Sequence, residues 1–251
     1  MTLTERGYDV VNHTITLGSL YLDGQPVQAG TQYNQQTFEI GDLMPKYPLS
    51  WVPVLGAFFC TWNLLTNISW NDLDRKGLIF GGKVQIDHFS FRCRVPRGGS
   101  ANTDLSEWNV AMEIDYGDNA LWHWKDMYSW CQEEAASDPS SRVCRGGNWP
   151  HEQYRVRPES RFPSCGWRPV LEPIGYSGVP DGVLQVGHDL LIWDGNTCIR
   201  DTLEEETPYD LILSSWPIWG AEKDGFYKTL SDDAVAVDKA SIKCLQVGKV
   251  I

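Results

Sequence analysis

The residues with the most chemistry to offer lie in one stretch of the chain, Pro150 to Cys165. It holds three Arg, two Glu, one His, one Tyr and one Phe, which can form ion pairs, donate hydrogen bonds and stack on flat ligands. Pro150, Pro158 and Pro163 remove backbone donors and fix φ, and the stretch has no helical or strand period. We therefore predict a conformationally restrained loop that presents polar and aromatic side chains.

Candidate binding residues are taken from this loop and the Trp before it, because Tyr and Arg are enriched where interfaces draw most of their binding energy. They are Trp149, His151, Gln153, Tyr154, Arg155, Arg157, Glu159, Arg161 and Phe162. Gly146 and Gly147 permit a turn before the loop, and Val170-Leu171 predicts a buried strand after it. A polar loop held between core strands is how a scaffold presents a binding surface. The alternative is an ordinary long surface loop, which the frequency of such loops favours on its own.

Patterns for catalysis are missing from the sequence. The acidic runs Glu133-Glu134 and Glu204–Glu206 are typical of solvent-exposed charged surface. No sequence pattern indicates two carboxylates facing each other across a sugar site, as glycoside hydrolysis requires. There is no Gly-x-Ser-x-Gly segment, no Gly-rich phosphate loop, and each of the five His stands alone. We predict a protein that is not an enzyme and needs no cofactor.

The seven cysteines form neither a complete disulfide framework nor a zinc site, since their number is odd and no Cys-x-x-Cys spacing occurs. His88 with Cys93, or His123 with Cys131, could be metal ligands. An isolated His beside Trp is more often a hydrogen-bonded packing residue, so no metal site is predicted. Buried free thiols are the expected state.

Composition limits the partners. The chain has 251 residues and a net charge of −12, which opposes nucleic-acid binding. Its 12 Trp indicate an aromatic core or an adhesive surface. Met1–Tyr8 has no secretory pattern, and the longest apolar run, Trp51–Cys60, is too short to span a bilayer. We predict a soluble protein made in a reducing cytosol and not inserted in a membrane.

Turn signals and periodicity divide the chain into a β module at residues 1–45, a central domain at 46–174 and a β-rich module at 175–251. Asp23-Gly24, Asp87-His88 and Asp194-Gly195 predict hairpins. A short helical turn after Thr66 should end at Gly77. A second short helix is expected around Trp108, with Asp104 or Ser106 as its N-cap. Residues 119–131 form an aromatic knot that is mainly core, and residues 132–141 a polar connector. The fold class predicted is α+β.

The central domain resembles a known fold. Arg-Val-Cys-Arg-Gly-Gly-Asn-Trp at 142–149 and Gly-Trp-Arg-Pro-Val-Leu at 166–171 are similar to the closing signature of the C-type-lectin-like fold of formylglycine-generating enzymes. Variable receptor-binding proteins of phages share that fold. Glu-Trp-Asn at 107–109 and the aromatic segment 122–131 resemble earlier segments of such phage proteins, with Asn148 and Trp167 where Ser and Phe are usual. The resemblance covers roughly Gly77 to Pro173.

This resemblance implies a C-type-lectin-like central domain with β modules at either end. It implies a non-enzymatic phage or prophage virion protein, made in the bacterial host cytoplasm, at a tail tip, fibre or head fibre. The loop would bind a host-surface protein or glycan, and assembly with other virion proteins as a homotrimer is expected. An alternative is a capsid or tail decoration protein whose loop contacts neighbouring subunits. A degenerate formylglycine-generating enzyme is a third possibility, but Pro150–Gln153 stand where its cysteines would lie, and Cys144 and Cys165 are displaced.

Overall fold

The structure is a computed structural model that describes residues 14–195, 197–214, 218–219, 225–231 and 234–250. Strands hold 46% and helices 11% of it, and its sheets are curled. The predicted α+β class with a C-type-lectin-like central domain is therefore wrong, and the fold is β-rich. The cause lies in the sequence: apolar residues alternate with period two, and Gly, Pro and Asp-Gly interrupt the chain before a helix can extend.

The α-helices of the described residues are short. They are α1 (Trp70–Arg75), α2 (Glu107–Glu113) and α3 (Asn119–Trp122). Ser69 and Ser106 are the N-caps of the first two, so the predicted cap at Ser106 is confirmed. None of these helices has the length and apolar character needed to cross a membrane.

The described strands, in chain order, are β1 (Ile15–Thr16), β2 (Ser19–Leu22), β3 (Gln25–Val27), β4 (Thr31–Gln32), β5 (Phe38–Gly41), β6 (Ser50–Val54), β7 (Ala57–Cys60), β8 (Leu65–Thr66), β9 (Gly82–Ile86), β10 (Phe89–Arg94), β11 (Tyr128–Ala135), β12 (Asp138–Gly146), β13 (Gln153–Val156), β14 (Cys165–Trp167), β15 (Val170–Pro173), β16 (His188–Trp193), β17 (Cys198–Glu206), β18 (Asp210–Leu213), β19 (Ile218–Trp219), β20 (Tyr227–Ser231), β21 (Ala234–Asp238) and β22 (Cys244–Val250).

Four sheets arise from these strands. The first has the order β1-β6-β7-β15-β10-β9, and the second β13-β12-β11-β14-β8-β4. The third has the order β20-β21-β18-β17-β16-β22, with β19 beside β17, and the fourth is a small β3-β2-β5 sheet. Pairing is antiparallel except between β11 and β14 and between β4 and β8.

All three predicted hairpins are confirmed. Asp23 (φ 47°) and Gly24 (φ 75°) turn the chain between β2 and β3. Asp87 (φ 50°) and His88 (φ 72°) do the same between β9 and β10. Trp193 pairs with Cys198 across the third hairpin, which contains Asp194 and Gly195. Gly adopts left-handed backbone freely, and Asp and His do so more often than most residues, which suits them to the positive φ values in these turns.

The predicted polar connector at 132–141 is wrong, because these residues lie in the β11–β12 hairpin with its turn at 136–137. The register of this hairpin shifts between Trp130 and Glu134. Such an irregularity breaks the alternation of buried and exposed residues from which a strand is predicted.

The largest core cluster takes side chains from all three predicted segments. Leu20, Trp51, Trp167 and Trp193 are among its buried members. The Trp193 ring, from the third sheet, packs edge-on at 4.9 Å from the Phe58 ring of the first sheet. The third sheet is therefore joined to the first by shared apolar packing.

Candidate binding site

The predicted binding loop contains a strand that its sequence did not reveal. Gln153–Val156 form β13 at the edge of the second sheet, paired with β12 so that Tyr154 lies opposite Cys144. A loop without strand period was therefore the wrong prediction for these four residues. Four residues between prolines are too few to establish alternation.

Two glycines form the turn that leads into this strand. Gly146 (φ 98°) and Gly147 (φ 102°) both have left-handed backbone. A Cβ atom on Gly147 would lie 2.4 Å from the ring of Tyr128, so only glycine lets the turn pass under that ring. Beyond the turn, the Asn148 backbone N–H donates to a Glu152 carboxylate oxygen at 2.6 Å. The turn thus places Tyr128, from β11, against the predicted loop.

Tyr128 and Tyr154 form the centre of an open concavity of about 520 Å³, which we call the Tyr–Arg groove. It is lined by Tyr128, Tyr154, Arg155, Val156, Arg157, Phe162 and Ser164. The two Tyr rings lie 5.1 Å apart with an angle of 31° between their planes. Burial, and then the Glu152 carboxylate, raise the pKa of Tyr128, so its hydroxyl stays protonated at neutral pH. Tyr154 is 50% exposed.

The groove unites Tyr154, Arg155, Arg157 and Phe162 from the candidate residues. Arg155 donates to the Ser137 hydroxyl at 2.7 Å. Within the residues that the structure describes, the Arg157 guanidinium is exposed and makes no hydrogen bond or ion pair. Its five donors are therefore available to a ligand. Phe162 is half-buried and also packs against the main core.

Arg161 has a structural role instead. Its Nε donates to Oδ2 of Asp72, on α1, and its Nη2 donates to Oδ1 of the same carboxylate, each at 2.7 Å. Burial alone would raise the pKa of Asp72, but hydrogen bonds from Arg161 and Ser69 hold it well below its ordinary value. This ion pair fixes the end of the loop to the body of the protein.

Gln153 also has a structural role. Its side-chain amide donates at 3.1 Å to the carbonyls of Gly99 and Ser100. It thereby ties β13 to the 96–106 loop and leaves Tyr154 as the next outward-facing residue.

Three other candidates lie away from the groove. His151 is near α2, with its Nδ1 3.4 Å from the Asn109 amide oxygen and its Nε2 3.7 Å from a Glu113 oxygen. Trp149 is 46% exposed, with its ring 6.0 Å from that of His151. Glu159 lines a separate shallow concavity beside α1. The nine candidates therefore do not form one site.

The cysteine side chains are poorly placed for chemistry. Six are buried free thiols, as predicted, whereas Cys244 is a free thiol that is only half-buried. The Sγ atoms of Cys144 and Cys165 lie 3.6 Å apart. Burial raises the pKa of Cys144 well above its ordinary value and that of Cys60 to about 12, whereas nucleophilic attack requires the thiolate. In the described ranges, no three His, Cys, Asp or Glu side chains are grouped to hold a metal ion.

Sequence reasoning missed Tyr128 and Ser164 as groove residues. The sequence places Tyr128 in the aromatic segment 119–131, and only the pairing of β11 with β12 and β14 brings it next to Tyr154. The glycine pair at 146–147 was the available signal, because adjacent glycines indicate close approach of another group to the backbone.

Comparisons with known proteins identify no relative. A scan against protein-family models, a search of curated proteins and a search of solved structures each found no match.

Proposed function

We propose that this chain is a non-catalytic recognition protein whose Tyr–Arg groove binds an acidic glycan on a host cell. We further propose that it acts as an attachment protein of a phage or prophage virion. The observation that carries the first proposal is the exposed Tyr154 ring, tilted by 31° from that of Tyr128 in a concavity that the exposed Arg157 also lines.

The chemistry of the groove favours a sugar with a carboxylate or phosphate. Flat aromatic rings offer an apolar face to the C–H face of a sugar. A guanidinium binds carboxylate and phosphate through two parallel hydrogen bonds. Arg155 and Arg157 place two positive charges here, in a chain whose net charge is −12. Two guanidinium groups in one concavity favour an anionic ligand.

The virion assignment is supported by the sequence motifs at 107–109 and 122–131, which resemble segments of phage structural proteins. Attachment proteins act as symmetric assemblies because weak sites gain avidity when several bind together. A homotrimer is the expected assembly. Light scattering at several concentrations measures the molar mass, and a monomer throughout would contradict this assembly.

Binding of fluorescently labelled protein to host cells and to arrayed acidic and neutral glycans tests the proposal. Tyr154→Ala and Arg157→Met should each weaken binding about 10-fold or more, since central aromatic and Arg residues dominate binding energies. Arg157→Lys should recover little, because an ammonium lacks the two-pronged geometry. Tyr209→Ala is the matched control, as Tyr209 is 78% exposed and lies outside the groove.

Two outcomes would change the proposal. Unaltered cell and glycan binding by both groove variants would show that the groove is not the recognition site. Particles that fail to assemble with the variant protein would instead support the alternative of a capsid or tail decoration protein. Intact particles that no longer attach to cells support the attachment function.

A further inference from the structure

A second concavity, of about 410 Å³, lies between β5, the end of α1 and β9. We call it the Trp167 cavity. Its floor is apolar and buried, with the side chains of Phe38, Leu78 and Trp167. Its rim carries the exposed side chains of Lys76, Lys83 and Glu39. A volume of this size suits a small molecule and is an order of magnitude larger than that of one water molecule.

Trp167, one of the residues that line this cavity, has an indole N–H without a partner. Trp167 is 1% exposed, and its Nε1 atom has no hydrogen-bond acceptor in the described chain. Leaving a buried N–H unpaired costs roughly 1–3 kcal/mol, and native proteins rarely keep one without a reason. The other indoles for which the structure gives a bond, such as those of Trp108 and Trp130, donate to backbone carbonyls. The described residues therefore supply no acceptor for the Trp167 N–H.

The charges of the rim indicate what kind of acceptor fits. The Lys76 ammonium lies 5.1 Å from the centre of the Phe38 ring, over the cavity floor. Neither Lys76 nor Lys83 forms an ion pair within the described ranges, and Glu39 is the one acidic residue that lines the cavity there. Two cations against one anion favour a negatively charged ligand.

We propose that the Trp167 cavity binds a small organic carboxylate. Its apolar body covers Phe38 and Leu78, one carboxylate oxygen accepts the Trp167 N–H, and Lys76 and Lys83 provide the opposite charge. The site is independent of the Tyr–Arg groove, with which it shares no lining residue. The two proposals therefore stand or fall separately.

Isothermal titration calorimetry of the full chain tests this site with octanoate and benzoate as probes. At least one should bind, and octylamine, which matches octanoate in length but carries a positive charge, should bind more weakly. Trp167→Phe keeps a ring but removes the donor, and should weaken binding roughly 10-fold, the value of one hydrogen bond to a charged group. The double variant Lys76→Met and Lys83→Met should weaken it about fivefold and reduce its dependence on salt.

Circular dichroism and the melting temperature establish that each variant is folded. If Trp167→Phe does not fold, the double variant Lys76→Met and Lys83→Met still tests the proposal. Tyr154→Ala, in the other groove, should bind the probes as the wild type does. The proposal is overturned if neither probe binds at millimolar concentration. It is overturned equally if a probe binds with the same affinity to the wild type and to the variants of Trp167, Lys76 and Lys83.

Discussion

The carboxylate of Asp72 connects α1 to the end of the binding loop. It accepts hydrogen bonds from the backbone N–H and hydroxyl of Ser69 at 3.0 and 2.6 Å, and from Arg75 and Arg161. These donors stabilise the ionised form, so the pKa of Asp72 lies below its ordinary value although burial opposes this. One side chain thus caps a helix and fixes a loop.

Asp72→Asn should destabilise the fold by about 2 kcal/mol at pH 7, because it weakens hydrogen bonds to a charged acceptor. The pKa of Asp72 is lower in the folded state than in the unfolded state, so the ionised carboxylate stabilises the protein at pH values above the unfolded-state pKa of about 4. This stabilisation is lost as the pH falls from about 4 toward the folded-state pKa. Urea denaturation at several pH values should therefore show the variant approaching the wild type in acid. Asp74→Asn, on the exposed side of α1, is the control. A constant difference between Asp72→Asn and wild type down to pH 2 would contradict this role.

Arg168 is fully buried and is bonded to neutral groups. It donates to the carbonyls of Cys60 and Trp122 at 2.8 and 2.7 Å and to the Ser129 hydroxyl at 3.1 Å. Burial lowers its pKa to about 10, so it remains charged at neutral pH. No carboxylate of the described chain lies within ion-pair distance of it. The three acceptors and the face of the Trp108 ring, whose centre is 5.4 Å from the guanidinium carbon, therefore stabilise its charge.

Arg168→Met should destabilise the protein by about 3 kcal/mol or more, because two buried carbonyls lose their donors. Arg168→Lys should recover part of this loss, as an ammonium reaches fewer acceptors than the guanidinium does. Equilibrium unfolding in urea measures both. Arg92→Met, at a side chain that is 55% exposed, should change stability little; a comparable loss there would assign the effect to charge removal in general.

Among the structural elements, the turn after α2 has an unusual backbone. Asp115, Tyr116 and Gly117 have φ values of 54°, 52° and 67°, three left-handed residues in succession. Tyr116 is 98% exposed, so its side chain contributes little packing to offset the backbone strain. Gly117 is different, since a Cβ there would lie 3.1 Å from the Pro150 ring. The left-handed turn thus lies against the start of the binding loop.

Tyr116→Gly should stabilise the protein by roughly 0.5–1 kcal/mol, because glycine adopts left-handed backbone without the strain of a Cβ. Gly117→Ala should destabilise it, through strain and through contact with Pro150. Thermal unfolding of both variants tests the pair. A melting temperature that falls on Tyr116→Gly would mean that the Tyr116 side chain makes a contact that outweighs the strain.

Elements marked by local chemistry could be predicted from the sequence, whereas those that depend on distant partners could not. The hairpins at Asp23-Gly24 and Asp87-His88 were predictable because turn geometry is decided by adjacent residues. The N-cap at Ser106 was predictable for the same reason. The β11–β12 hairpin was not, because its shifted register hides the alternation. Strand β13 was not predictable either, because it is a strand only through its pairing with β12.

At the scale of the whole molecule, the sequence predicted the residues of one wall of the Tyr–Arg groove but not those of the other. Its Tyr154, Arg155, Arg157 and Phe162 were found from residue type alone. The opposing wall was not, because Tyr128 reaches Tyr154 through sheet pairing that no local pattern encodes. The same limit explains Arg161, whose partner Asp72 lies 89 residues away. A charged residue in a polar loop has the same pattern whether it binds a ligand or fixes the loop.

The shared core predicts that the described sheets unfold together. Trp193 packs on Phe58, and the Gln246 side-chain oxygen accepts the backbone N–H of Ser90 at 2.6 Å. Trp193→Ala should destabilise the protein by about 3 kcal/mol or more, through loss of a buried aromatic side chain. Fluorescence and circular dichroism should still report one common transition. Tyr209→Ala is the control, and two separate transitions would mean that the third sheet is an independent domain.

The double fixation of the binding loop has a consequence for engineering. The Gly146–Gly147 turn holds its beginning, and the Asp72–Arg161 pair holds its end. The exposed residues Tyr154, Arg155 and Arg157 contribute to neither attachment. A library randomised at these three positions should therefore retain a stable scaffold while its members differ in what they recognise.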